Sequence, residues 1–176
     1  KELEMASISG SGDIQVPDLS GDNFSAAIGG SGDISMGNLE ADTFEVDIAG
    51  SGNVIADKVN VPQLQVKING SGDITLQELQ AESLSLNVNG SGNLRIDDGR
   101  VAEQDIDING SGNLQAEDLS SQAITINISG SGDITVWVID SLDVRINGSG
   151  NVRYYGRPAV SSSGNGSGDI ISLGEK

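Results

Sequence analysis

The chain has 176 residues, enough for one domain with a sizeable core, and sets 9 Lys and Arg against 26 Asp and Glu, a formal net charge of −17. That balance argues against nucleic acid and anionic membranes as partners, because neutralising phosphate needs clustered cations. With no Cys and no His, disulfides, thiolate metal sites and the commonest general base are absent. No apolar run approaches the roughly 20 residues of a membrane-spanning helix. Aromatic residues make up only 3%, so any core must be aliphatic.

In chain order, the opening "KELEMASISG" already reads as part of a repeat and not as a secretion signal, so a further segment is expected upstream of residue 1. The repeat then declares itself. A Gly-Ser-Gly triplet starts at Gly10, Gly30, Gly50, Gly70, Gly90, Gly110, Gly130, Gly148 and Gly166, with six spacings of 20 residues and then two of 18. Asp or Asn follows every triplet (Asp13, Asp33, Asn53 and onward to Asp169), and an aliphatic residue follows that (Ile14, Ile34, Val54 and onward to Ile170).

Aligning on the triplet exposes further apolar columns. Two residues before it stand Ile8, Ile28, Ile48, Ile68, Val88, Ile108, Ile128 and Ile146. Two before those run Ala6, Ala26, Val46, Val66, Leu86, Ile106, Ile126 and Val144. A third column holds Phe24, Phe44, Leu64, Leu84, Ile124, Leu142 and Val160, broken by Gln104. This period of two predicts strands with one buried face. A last column, Leu19, Leu39, Val59, Leu79, Leu119 and Ile139, is out of step by one residue and marks a corner.

Each unit of about three short strands cannot bury its own apolar face, but stacked units can. The chain is therefore expected to be all-β: one domain over 1–176, a right-handed parallel β-helix (β-solenoid) of about nine coils, 20 residues each with the last two 18. On this reading "GSG(D/N)" is a corner at which two inward-facing glycines let the wall approach the opposite side. The Ser and Asp/Asn side chains would bond turn amides or their equivalents in the next coil. The two short coils lose their residues in a corner, where "IDSL" at 139–142 replaces "LEADTF" at 39–44.

These tandem "GSG(D/N)-I/L" turns, each after an "I-x-G"-like strand end, resemble the head GIN domain of auto-transporter adhesins, a group of bacterial envelope proteins. The resemblance runs from "ISGSGDI" at 8–14 to "GNGSGDI" at 164–170. It implies a right-handed β-helical fold, an extracytoplasmic place at the cell envelope or surface, and adhesion as the family-level activity. It carries no catalytic residue over.

Three candidate functions follow from the residues. The Asp/Asn column could be a Ca²⁺ ladder, but its 20-residue period does not match the nonapeptide of calcium-binding solenoids. A turn-stabilising polar ladder is preferred, with no metal or cofactor site, and divalent cations would act only by screening so acidic a rod. Enzymatic work on polysaccharides would need paired carboxylates in a cleft, which such uniform coils leave no loops to build, so a non-enzymatic protein is expected. The third candidate is Trp137 and Tyr155. Both stand seven residues after the first Gly of their triplets, on adjacent coils, and should be about 5 Å apart on one wall. With Arg145, Arg153 and Arg157 nearby, they suit contact with a glycan or protein. The alternative is that they pack under a terminal segment as a cap. The five "NGS" sequons at Asn69, Asn89, Asn109, Asn147 and Asn165 are read as by-products of the turn.

The resulting expectation is an adhesin-like or structural binding module with an unidentified protein or glycan ligand. A glycan-binding module is the alternative, and a polysaccharide-acting enzyme is the least favoured reading. Unpaired coil ends add the expectation of end-to-end or side-by-side self-association.

Overall fold

Residues with alternating aliphatic and polar character can bury every second side chain only by forming strands. The computed structural model, which describes residues 3–176, has strands throughout and no helix among the described residues. In order these are β1 (Met5–Ile8), β2 (Ile14–Val16), β3 (Leu19–Ile28), β4 (Ile34–Ile48), β5 (Val54–Ile68), β6 (Ile74–Val88), β7 (Leu94–Ile96), β8 (Gly99–Ile108), β9 (Leu114–Ile128), β10 (Ile134–Ile146), β11 (Val152–Tyr155), β12 (Ala159–Ser163) and β13 (Ile170–Gly174).

All belong to one sheet whose order follows the chain from β1 to β13. Every pairing is parallel and joins one coil to the next; Phe24 sits opposite Phe44, and Phe44 opposite Leu64. Ile14, Ile34, Val54, Ile74, Leu94, Leu114, Ile134, Val152 and Ile170 are successive pairing partners. The seven inner members of this column are essentially inaccessible to solvent, and only its two ends are half-buried. The protein is thus a parallel β-solenoid of about eight turns. The expected nine is corrected because a triplet is a corner, and nine corners bound only eight intervals. The three short strands per coil are also replaced, in full-length coils such as β4, by one 15-residue strand that bends through its corners. Between β4 and β5 the pairing skips Gly37 and residues 41–42, where the chain turns.

The physical reason for the paired glycines differs from the expected one. A Cβ on Gly50 would stand 1.9 Å from the Gly30 carbonyl oxygen, and one on Gly52 would stand 2.0 Å from that of Gly32. Neither glycine has positive φ, so backbone freedom is not the reason. The coil below, not the opposite wall, excludes a side chain. Gly10 and Gly12, in the first coil, have no atom within 4 Å of that position.

Two members of the apolar columns are misplaced. Val136 pairs with Ala116, but Trp137 then pairs with Ser120 and Val138 with Ser121, so residues 117–119 are passed over. The shortening therefore falls one corner earlier than "IDSL". Val138 turns inward, and Ile139 is left 49% exposed. Val160 is 43% exposed because β12 pairs only with β10 and no coil covers it. The structure also adds a column of Ala41, Val61, Ala81, Val101, Ser121 and Val138, mostly small residues lining the second wall.

Gln104 is buried between Leu84 and Ile124. Its Nε2 donates to the Oγ of Ser121, the other buried polar side chain, at 2.5 Å. Two lapses from apolar character meet across the core, and each offsets part of the other's desolvation. The Gln104 Oε1 has no partner.

Gly50→Ala is expected to cost at least about 3 kcal/mol or to abolish folding, whereas Gly10→Ala in the same chain stays within about 1 kcal/mol; urea midpoints of the two variants test the inter-coil clash. Replacing Gln104→Leu together with Ser121→Ala should raise stability by about 1–3 kcal/mol, while Ser121→Ala alone lowers it by stranding the Gln104 amide. A double-mutant cycle on unfolding midpoints checks the sign.

Candidate partner-binding surface

The outward face begins with the residue after each triplet. The side-chain Oδ1 of Asp13 accepts from the backbone N–H of Asp33 at 2.9 Å, and Asp33 in turn accepts from Asn53 at 2.7 Å. The series continues without a break through Asp73, Asn93, Asn113, Asp133 and Asn151 to Asp169. Where the upper residue is Asn, its Nδ2 donates to the same oxygen, as in Asn53 to Asp33 at 3.0 Å. The expected polar ladder is present, and its oxygens are engaged by amides. Among the described residues no group of three or more Asp and Glu converges as a metal site would require. The sequon residues form a second ladder, with Asn89 Nδ2 donating to Asn69 and Asn109 Nδ2 to Asn89.

One rung has a perturbed charge. Burial pushes the Asp133 carboxyl upward, but the backbone and side-chain amides of Asn151 and the Arg153 guanidinium outweigh it and hold the group below its ordinary 3.8. Arg153 reaches Asp133 Oδ2 at 3.3 Å.

The aromatic pair lies on the same wall. Trp137 on β10 and Tyr155 on β11 are direct pairing partners. Val136 and Val138 flank Trp137 and point inward, which turns the indole outward to a half-buried position. The Lys176 ammonium lies 5.6 Å from the Trp137 ring centroid and 5.3 Å from that of Tyr155. It also donates to the Glu117 carbonyl at 2.5 Å and pairs with the Asp118 carboxylate. Glu117 and Asp118 belong to the residues that the shortened coil passes over, so the change in coil length brings a carbonyl and a carboxylate beside the rings.

Of the three arginines, Arg153 shares β11 with Tyr155 but is committed to Asp133, while Arg157 pairs with Glu175 at 2.6 Å next to Lys176. Arg145 is not brought to the aromatics. It stands beyond the corner, in register with Asn127 and Ser163, with its Nε 3.5 Å from Ser163 Oγ. Sequence reasoning missed Glu117, Asp118 and Lys176; the drop from 20 to 18 residues at that coil was the available signal.

Residues 1–57 and 53–158 match the family described as "Putative auto-transporter adhesin, head GIN domain". The chain belongs to this family. Among solved structures, the head GIN chain is similar to a "putative adhesin" from Parabacteroides distasonis, with TM-score 0.75 and 25% identity over 97% of this chain and 64% of that one. A second Parabacteroides distasonis structure, described as a "putative lipid binding protein", aligns with TM-score 0.65 and 28% identity over 97% of this chain and 62% of that one. The chain thus spans less than two thirds of both. A "putative adhesin" from Parabacteroides merdae shares the fold, with TM-score 0.68 and 17% identity over 98% of this chain and 92% of that one. No protein of curated function matches the chain.

The Asp133 shift fixes a pH dependence. Its folded value lies below the unfolded one, so its stabilising contribution is complete above the ordinary value of 3.8 and is lost as pH falls through the lowered value. Asp133→Asn keeps the acceptor for Asn151 but removes the titration. Denaturation midpoints measured from about pH 5 down to about pH 2.5 should fall less steeply for this variant than for the parent; equal slopes would show that Asp133 contributes nothing.

Proposed function

We propose that the head GIN chain is a non-enzymatic, adhesin-like binding module of the bacterial envelope, and that its contact surface is the Trp137–Tyr155 pair with Arg153 and Arg157 at its margin. The observation that carries this reading is the pairing of the two aromatic residues on neighbouring rungs. In a chain with one Trp and two Tyr, Trp137 and Tyr155 lie on adjacent rungs of one wall, and the valines on either side of Trp137 are turned inward. Paired aromatic faces on a rigid wall offer large contact area at small entropic cost, a common property of recognition surfaces. The rod supports this use because its polar ladder and filled core hold the wall in one geometry.

The family relationship supports an envelope location and adhesion as the activity. A glycan-binding module is the second reading, favoured by the fit of neighbouring aromatic rings to the apolar face of a sugar. Protein contact is supported instead by the cation seated over those rings.

Trp137→Ala combined with Tyr155→Ala should reduce binding of the purified chain to whole bacterial or host cells at least about 10-fold, a hot-spot-sized loss. Circular dichroism and thermal midpoint should change little. Unchanged binding excludes this surface, and collapse of the β-sheet signal assigns the rings to capping. A glycan array probed with the parent and the double variant separates the sugar reading from the protein reading.

A further inference from the structure

The Lys176 contacts describe a receptor as well as a cap. Two aromatic faces, a carboxylate and a backbone carbonyl converge on one ammonium, which is the chemistry that recognises alkylammonium groups: ring quadrupoles attract the charge, the carboxylate neutralises it and the carbonyl accepts an N–H. The Lys176 side chain is 26% exposed, against 79% for that of Arg157 in the neighbouring ion pair, so the ammonium is substantially enclosed.

The components come from separate parts of the chain. The rings belong to β10 and β11, and the two oxygens belong to the residues passed over in β9. At the position of Trp137 and Tyr155 in their repeats, the earlier full-length coils carry Pro17, Gly37, Asp57, Gln77, Asp97 and Glu117, so the rings occur only where the coils shorten. Lys176 reaches the site from just beyond β13. It follows β13 after Gly174, whose φ of +96° is a glycine conformation, and the segment is otherwise held by the Arg157–Glu175 pair at the surface. Surface ion pairs of this kind contribute little, so the contacts a competing ammonium must displace are those of Lys176 itself.

We propose that Trp137, Tyr155, Asp118 and the Glu117 carbonyl form a receptor for a lysine side chain, occupied in cis by Lys176 and in trans by a lysine of a basic partner protein. The net charge of −17 favours a cationic partner and would steer its approach. This assignment rests on the aromatic pair being the contact surface and adds to it the chemistry of the ligand and a built-in competitor.

Trp137 is the chain's one Trp, so its fluorescence reports the site directly. The test titrates the full chain and its Lys176→Met variant with Nα-acetyl-lysine methylamide at low salt, and repeats the titration with the Nε-acetylated form. The variant should give a saturable change with a dissociation constant in about the millimolar range. The parent should bind at least about 2-fold more weakly, because a tethered Lys176 at millimolar effective concentration competes for a site of millimolar affinity. The Nε-acetylated form should give no saturable change, and Asp118→Asn added to Lys176→Met should weaken binding at least about 5-fold.

The proposal is overturned if Lys176→Met shows no saturable change, if the Nε-acetylated form binds equally well, or if Asp118→Asn has no effect in a chain whose circular dichroism is unaltered. Loss of cell binding on removing both aromatics, together with silence toward the lysine probe, would leave the contact surface standing and remove only the ammonium assignment. Lysine binding without any effect of the aromatic substitutions on cell binding would do the reverse.

Discussion

Everything in this molecule depends on one constraint: each coil must lie on the previous one at the strand spacing that backbone hydrogen bonds impose, about 4.8 Å, round most of its circumference. That spacing turns a sequence period into a spatial column, and it explains why the repeat tolerates so little at its corners. After the first triplet, each triplet Ser donates its backbone N–H to the glycine carbonyl of the coil below, as Ser51 does to Gly30 at 2.9 Å. The glycines are pressed so close that a methyl group would overlap the next carbonyl. The Asp/Asn ladder closes the remaining gap, since each rung supplies an acceptor for a turn amide that the strand pairing leaves out.

The core columns were legible because a strand pair magnifies them: nine aliphatic residues at a fixed spacing can have only one common environment. Ile139 and Val160 show where this reading stops. Both fit the alphabet of their columns, yet Ile139 is displaced by a change of register and Val160 by the lack of a covering coil, and neither effect is local to the residue. The column of Ala41, Val61, Ala81, Val101, Ser121 and Val138 escaped notice for the opposite reason, since Ala and Ser interrupt its three valines and carry little periodic signal. Gln104 was visible as a break; its partner Ser121 was not, because the two meet across the interior of the coil and not along a column.

The surface was legible in part. Adjacency of Trp137 and Tyr155 follows from the period, and the outward aspect of Trp137 follows from the parity of Val136 and Val138. Arg145 was misassigned to their neighbourhood because closeness in sequence ignores the corner between them. Lys176 lies 39 residues from Trp137 and outside any repeat, so no periodic argument could have placed it there. The same register change that displaced Ile139 passed over residues 117–119 and so set Glu117 and Asp118 beside the rings. An irregularity in the scaffold thereby generated a chemically distinctive spot on the rod.

The ordering of the sheet from β1 to β13 has a mechanical meaning. The bonds between coils run along the rod axis, and the first and last strands lie at its opposite ends. Tension between those ends would therefore load one inter-coil seam at a time and not shear many strands together. Each release would pay out about 70 Å of slack for a 20-residue coil. A rod built this way lengthens under force by stepwise unspooling, and each rewound turn finds its template still in place on the coil beneath.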